Sequence, residues 1–255
     1  MTDSILSEHG QGVAWITINR PDKRNAIDLP TRAALAAAIA AAEADDAVRL
    51  IVLTGAGGSF SAGVDLSSDP ANDRHVLVRN PDRLTEPLDR CTKPLLAAVD
   101  GAAVGGGFEM ALACDMRVAS TRSFFALTEA RIGSLPGSGG TQRLFGALPA
   151  AIAWKLLLTG DRLAAEDALR YGLVSDVFAD ADFITGVREL AHRVATAAPL
   201  SLKAAKLAGR VGARGSDASG LALERALWAL LSTTEDRNEG RAAFREGRDP
   251  EFKGR

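Results

Sequence analysis

This chain of 255 residues is poor in several features that usually announce a function. Its only cysteines are Cys91 and Cys114, without CxxC spacing, so neither a disulfide framework nor a cysteine zinc site is expected. They read as two reduced thiols of a cytoplasmic protein. Aromatic residues make up 5% against 47% hydrophobic ones, which leaves the core to aliphatic side chains. The formal net charge of -2 supplies no global positive field for nucleic acid. No uncharged stretch approaches the ~18 residues of a membrane span. The opening MTDSILSEHGQG lacks a basic region followed by an apolar run, so no signal peptide is expected. His9, His75 and His192 stand outside the glycine-rich loops, which gives a Ser-His or His-metal site little support.

What the chain does contain is an alternation of apolar runs and glycine loops. GVAWITIN (residues 12–19) has the β-rich composition of a strand and ends in the polar loop NRPDKRNAI. Asp28-Leu29-Pro30 opens a helix over TRAALAAAIAAAEADD, with proline in its first turn. VRLIVLTG (residues 48–55) and PLLAAVDG (residues 94–101) are continuous apolar runs, as expected of strands covered on both faces. MRVAS and FFALTEARIG predict two more short strands, and LPGSGGTQRL a loop entering a helix. Residues 67–90 are polar with little periodicity and carry no assignment. From about residue 141 helical patterns dominate, beginning with TQRLFGALPAAIAWKLLL. Without a proline- or serine-rich linker, the chain reads as one α/β domain with a helical C-terminal extension.

LIVLTGAGGSFSAG and LLAAVDGAAVGGG each run from a buried strand into a glycine loop. Glycine lets a backbone approach a ligand closely and leaves its N–H unshielded. Two such loops side by side could aim two N–H groups at one oxygen, an oxyanion hole, with an acid three residues past one donor. The competing reading is that the glycines only allow strand and helix to pack closely. Other glycine-loop chemistries fail: the chain has no Gly-Lys pair for a Walker A motif, no GxGxxG, and PGSGG puts Pro136 where a nucleophile elbow needs glycine.

FSAGVDL, DGAAVGGGFEMALACD and TEARIGSLPGSGGTQRL together strongly resemble the enoyl-CoA hydratase/isomerase (crotonase) family, and NRPDKRNAI and AAFREGRDPEFKGR fit it too. The resemblance runs in order along nearly the whole chain, omitting mainly residues 67–90. It implies an α/β spiral of repeated ββα units over residues 1–195, and a helical region over residues 196–255 that assembles trimers or dimers of trimers. It also implies a coenzyme A thioester substrate, with coenzyme A part of the substrate and no separate cofactor or metal. The thioester oxygen would be held by the N–H groups of Ala62 and Gly106. Glu109 and Glu129 match the two glutamates that hold and activate one water, with Glu109 assigned to water activation and Glu129 to proton delivery.

Further positions follow from the same resemblance. Lys23, Arg24 and the backbone of Ala26 lie where relatives meet the nucleotide end of coenzyme A, although an exposed basic pair is often only solvated surface. Gly63, Val64, Asp65, Leu66 and Gly105 line the thioester in this reading, with Asp65 more readily a helix cap. Leu135, Pro136 and Gly137 shape the pocket wall or merely turn the chain, and residues 67–90 help shape the acyl pocket. Phe244 and the basic tail near Lys253 match a segment through which a neighbouring subunit reaches the nucleotide. Many relatives read FxEKR where this chain reads FREGR, so Gly247 replaces a lysine and Arg248 is the candidate substitute. Both glutamates favour reversible hydration of a 2-enoyl-CoA over the runner-up, a Δ3-Δ2-enoyl-CoA isomerase, or a specialised acyl-CoA (de)hydratase. They also argue against an inactive scaffold. An RNA-binding role through a lysine-rich helix is disfavoured, because TRAALAAAIAAAEADD has no lysine.

Overall fold

The computed structural model describes residues 3–67, 83–213 and 217–255. Strand β1 (Ile5–Gly10), absent from the sequence-based expectation, pairs antiparallel with β2 (Val13–Ile18). Gln11 and Gly12, at φ 53° and 78°, make the two-residue turn between them. β1 escapes the pattern because it is mostly exposed and polar. Strands β3 (Leu50–Gly55), β4 (Leu95–Val99), β6 (Met116–Ser120) and β9 (Asp176–Phe178) extend the sheet in parallel, in the order β1-β2-β3-β4-β6-β9.

A second sheet, in the order β5-β7-β8, holds β5 (Ala102–Val104), β7 (Phe124–Ala126) and β8 (Leu163–Ala164). β4 in the large sheet leads to β5 in the small one, and β6 leads to β7 in the same way. Each pair is followed by helical structure, which is the ββα repeat. After β3 the corresponding second strand shrinks to a bridge between Ser61 and Ala103.

Helix α1 (Leu29–Ala44) starts as expected, with the Asp28 carboxylate accepting the Thr31 N–H at 2.9 Å. It covers one face of the large sheet with α2 (Glu86–Arg90), α3 (Gly106–Ala113) and α4 (Gly140–Ala147). The helical pattern of residues 141–158 divides, because Pro149 ends one helix and starts α5 (Ala150–Thr159). After α6 (Ala165–Arg170), helix α7 (Phe183–Ala195) covers the opposite face, where Val52, Leu96 and Val118 meet Phe183 and Val187. β3 and β4 are thus buried on both sides, which explains their unbroken apolar runs. Both cysteines are free and buried. Burial and the neighbouring Glu43 carboxylate push the Cys91 thiol up to about 12.

Helices α8 (Pro199–Gly212), α9 (Asp217–Leu231) and α10 (Glu235–Glu246) complete the chain. Lys206 and Arg210 of α8 bind the Asp115 carboxylate at 2.8 and 2.9 Å, and Arg49 donates to the Phe252 carbonyl at 2.7 Å. Among the described residues no helix is long and apolar enough to cross a membrane. Asp28→Ala is expected to leave the fold intact and cost about 1 kcal/mol. Thermal unfolding should show that as a fall in Tm of roughly 2–4 °C for a chain of this size.

Candidate active site

The site forms where two strand-end loops touch. Residues 61–65 run past the turn that enters α3, and glycine makes the approach possible at each point. A methyl group at Gly107 would stand 2.3 Å from the Ser61 carbonyl oxygen. At Gly63, whose φ is +85°, it would stand 2.8 Å from the Gly106 nitrogen and cover that N–H. At Gly105 it would lie 3.1 Å from Oε1 of Glu129. The glycines therefore have separate tasks: Gly105 leaves room for a carboxylate, Gly63 leaves the Gly106 N–H unshielded, and Gly107 lets the helix pack closely on the Ser61 backbone.

Gly106 is the first residue of α3, so its N–H has no partner within the helix. The opposing donor differs from the expected one. The Ala62 N–H donates to the Arg24 carbonyl at 2.9 Å, so it is committed to the 20–26 loop and does not serve the Gly106 side. Val64 takes its place. Ile27 bonds Gly63 and Asp65 on either side of Val64, which turns the Val64 N–H the opposite way. A methyl group at Gly106 would lie 3.6 Å from the Val64 nitrogen. A single glycine motif cannot say which of two consecutive N–H groups faces the turn; strand pairing decides it.

Glu109 sits one turn into α3 and is only 3% exposed. Its Oε1 accepts the N–H groups of Ser138 at 2.7 Å and Gly140 at 2.8 Å. Glu129 begins the short 3-10 turn Glu129–Ile132 that follows β7, in place of the strand expected through TEARIG. Its Oε2 is buried and finds no partner among the described residues. Burial raises the proton affinity of both carboxyls above the ordinary carboxylate range. At Glu109 the two N–H donors and the Arg143 charge oppose that rise. At Glu129 the negative charge of Glu109 adds to it, against its own backbone N–H.

Other expected contacts are less tightly assembled. Lys23 and Arg24 are exposed, and Arg24 borders a cavity of about 660 Å³ with Ala62, Thr128, Arg131 and Arg162. Both backbone groups of Ala26 are engaged, the N–H by Lys23 and the carbonyl by Arg20. Asp65 accepts from the Ser67 N–H and hydroxyl and meets Arg20 at 3.2 Å; the helix it was expected to cap lies outside the described residues. So does most of the segment assigned to the acyl pocket, residues 68–82. Leu66, Leu135 and Gly137 are exposed, while Pro136 is buried beneath Gly140. Phe244 is 89% exposed on α10, far in sequence from the loops above. Arg248 is held by Glu239 at 2.6 Å and by Glu246, so it is tied back to α10, the helix that precedes it. Sequence reasoning missed the N–H donors of Ser138 and Gly140. Their only sequence trace is the glycine-rich SGG.

Similarity to known proteins agrees with this geometry. The family described as Enoyl-CoA hydratase/isomerase matches residues 8–255. The chain belongs to the enoyl-CoA hydratase/isomerase family. It is 44% identical over 254 residues to (E)-benzylidenesuccinyl-CoA hydratase of Thauera aromatica, covering 98% of this chain and 99% of that one. It is 40% identical to 2,3-dehydroadipyl-CoA hydratase of Escherichia coli (strain K12), over the full length of both. Among solved structures, an enoyl-CoA hydratase from Bacillus anthracis superposes with a TM-score of 0.93 at 32% identity, covering 99% of this chain and 100% of that one. The crotonase fold of the family is therefore the fold of this chain.

The buried carboxyls of this family member have a consequence for stability. A carboxyl whose proton affinity is raised by folding stabilises the folded chain at low pH and loses that contribution as pH rises through the raised pKa. Glu129→Gln mimics the neutral form. It is expected to raise Tm at pH 7.5 by roughly 2–4 °C, and the gain should vanish towards pH ~4, near the ordinary glutamate value. Thermal melts of both proteins across that range check the sign.

Proposed function

We propose that this family member catalyses the reversible hydration of a 2-enoyl-CoA to a 3-hydroxyacyl-CoA. The observation that carries the reading is the pair of buried carboxyls in opposite hydrogen-bond environments beside two unshielded backbone N–H groups. Two N–H donors on Oε1 of Glu109 favour its anion and leave Oε2 to accept a proton. Glu129 has a buried oxygen that finds no donor among the described residues and feels the charge of Glu109, which favours its protonated form. Such a split suits one base and one acid acting on one water.

In this reading the thioester oxygen rests between the N–H groups of Val64 and Gly106. Glu109 removes a proton from water as its oxygen bonds to the β-carbon, and the electron pair of the double bond moves to the enolate oxygen. The two N–H groups stabilise that developing charge at fixed positions. Glu129 then delivers its proton to the α-carbon, and a proton passes from Glu109 back to Glu129 by way of solvent. Polarisation by backbone donors and proton transfer by carboxyls ask for no metal or redox cofactor. The cationic side chains of Lys23 and Arg24 would serve the phosphates of coenzyme A.

The loss of 2-enoyl thioester absorbance tests the reading, with crotonyl-CoA, 2-decenoyl-CoA and 2,3-dehydroadipyl-CoA as substrates. The last is included because both relatives above are named for dicarboxylic acyl groups. Glu109→Gln and Glu129→Gln are each expected to lower kcat by about 10²–10⁴-fold. The pH profile of kcat/KM should be bell-shaped, falling in acid as Glu109 protonates and in alkali as Glu129 ionises, with both limbs belonging to the coupled pair. A Glu109→Gln variant that still converts a 3-enoyl-CoA to its 2-enoyl isomer would instead favour the isomerase reading.

The same reading makes the C-terminal helices an assembly face. α8 and α9 have no buried residue, and Leu221, Trp228 and Leu230 on α9 are at least half exposed. We read this face as covered by copies of the chain in a trimer or a dimer of trimers. Sedimentation should give the mass of three or six chains, and Leu221→Asp should shift it towards one.

A further inference from the structure

We propose that Arg143 is a positioning residue: clamped by Asp89 and Thr85, it fixes the turn at residues 138–140 so that the N–H groups of Ser138 and Gly140 hold Glu109 in line. The inference rests on the reading of Glu109 as the water-activating base. The peptide between Ser138 and Gly139, which stands between the two donors, is gripped by Nη1 of Arg143 and Oγ1 of Thr85, which both donate to the Ser138 carbonyl at 2.8 Å. The Ser138 hydroxyl accepts the Leu84 N–H at 3.2 Å. With that central peptide held, the peptides on either side of it keep the N–H groups of Ser138 and Gly140 on Oε1 of Glu109.

The clamp is anchored at its own back. Nη2 of Arg143 pairs with Oδ1 of Asp89 on α2, with side chains 13% and 15% exposed. The Asp89 carbonyl in turn accepts Nη1 of Arg210 on α8 at 3.0 Å. Gly139, at φ +102°, opens the space, because a methyl group there would lie 2.0 Å from Nη1 of Arg143. Only glycine lets a guanidinium pass so close to the turn.

Stability alone is a poor reason for this arrangement. Nε of Arg143 is buried and finds no acceptor among the described residues. A buried donor left unmade is unfavourable, and an apolar side chain would fill the same space without that penalty. A charged fork here makes sense if its work is to hold the turn that orients the base.

The test compares wild type with Arg143→Lys, Arg143→Met and Thr85→Val. The titration of the Glu109 carboxyl is followed by NMR on protein labelled with ¹³C at the glutamate carboxyl, and Glu109→Gln assigns the signal. Loosening the turn is expected to raise the Glu109 titration midpoint in both Arg143 variants, and by less in Thr85→Val. The kcat should fall about tenfold to a hundredfold with KM little changed. A midpoint unchanged from wild type in Arg143→Met would overturn the inference and leave a structural role. So would a wild-type midpoint in Arg143→Lys, since lysine keeps the charge and lacks the fork. If Arg143→Met does not fold, Arg143→Lys and Thr85→Val still decide. Because the titration needs no turnover, it decides the inference even if wild type hydrates none of the thioesters.

Discussion

The contact between the Ser61–Val64 backbone and the turn that enters α3 is the constraint on which the rest of the site depends. Backbone meets backbone there with no room for a β-carbon at Gly63 or Gly107. That closeness brings the Gly106 N–H beside Val64, directs α3 into the core, and carries Glu109 to a fixed depth. A buried helix start normally needs partners for its free N–H groups. An unshielded N–H held in the interior is therefore a device awaiting an oxygen, and the thioester oxygen of the proposed substrate supplies one.

The second theme is the unequal treatment of two similar side chains. Glu109 and Glu129 are both withdrawn from water, which raises the proton affinity of each. Among the described residues one then receives two N–H donors, and the buried oxygen of the other receives none. Hydrogen bonding divides what burial alone would leave equal, and the proposed roles of acid and base rest on that division. The donors to Glu109 come from a turn 29 residues further on, itself clamped by α2 through Asp89. α2 is tied to the C-terminal helices through Arg210, so elements far apart in the chain meet behind one carboxylate.

Several features are legible in the sequence by itself. The runs around Val52 and Ala97 are apolar without alternation because helices cover both faces, and that pattern predicted strands covered on both faces. Asp28 and Pro30 marked the start of α1 by local chemistry alone. Glu109 and Glu129 stand out through the ordered motifs around them, and the fold buries both carboxyls beside the glycine turn. β1 was missed because an exposed edge strand needs no apolar pattern. Ala62 was chosen as a donor because a motif gives the neighbourhood of a turn and not the direction of each N–H.

Local patterns in this chain carry what depends on neighbours along the sequence: the strands and helices, the glycine turns, and the two acids placed after them. Those properties come from backbone sterics, capping and burial periodicity, which act over a few residues. Tertiary structure alone decided which N–H opposes Gly106, since the bridge to Ile27 turns Val64 and the Arg24 carbonyl occupies Ala62. It also decided that Glu109 is held from residues 138–140 and that the buried oxygen of Glu129 finds no partner among the described residues. Hydrogen-bond direction and desolvation are set by groups distant in sequence and adjacent in space, and no local pattern encodes them.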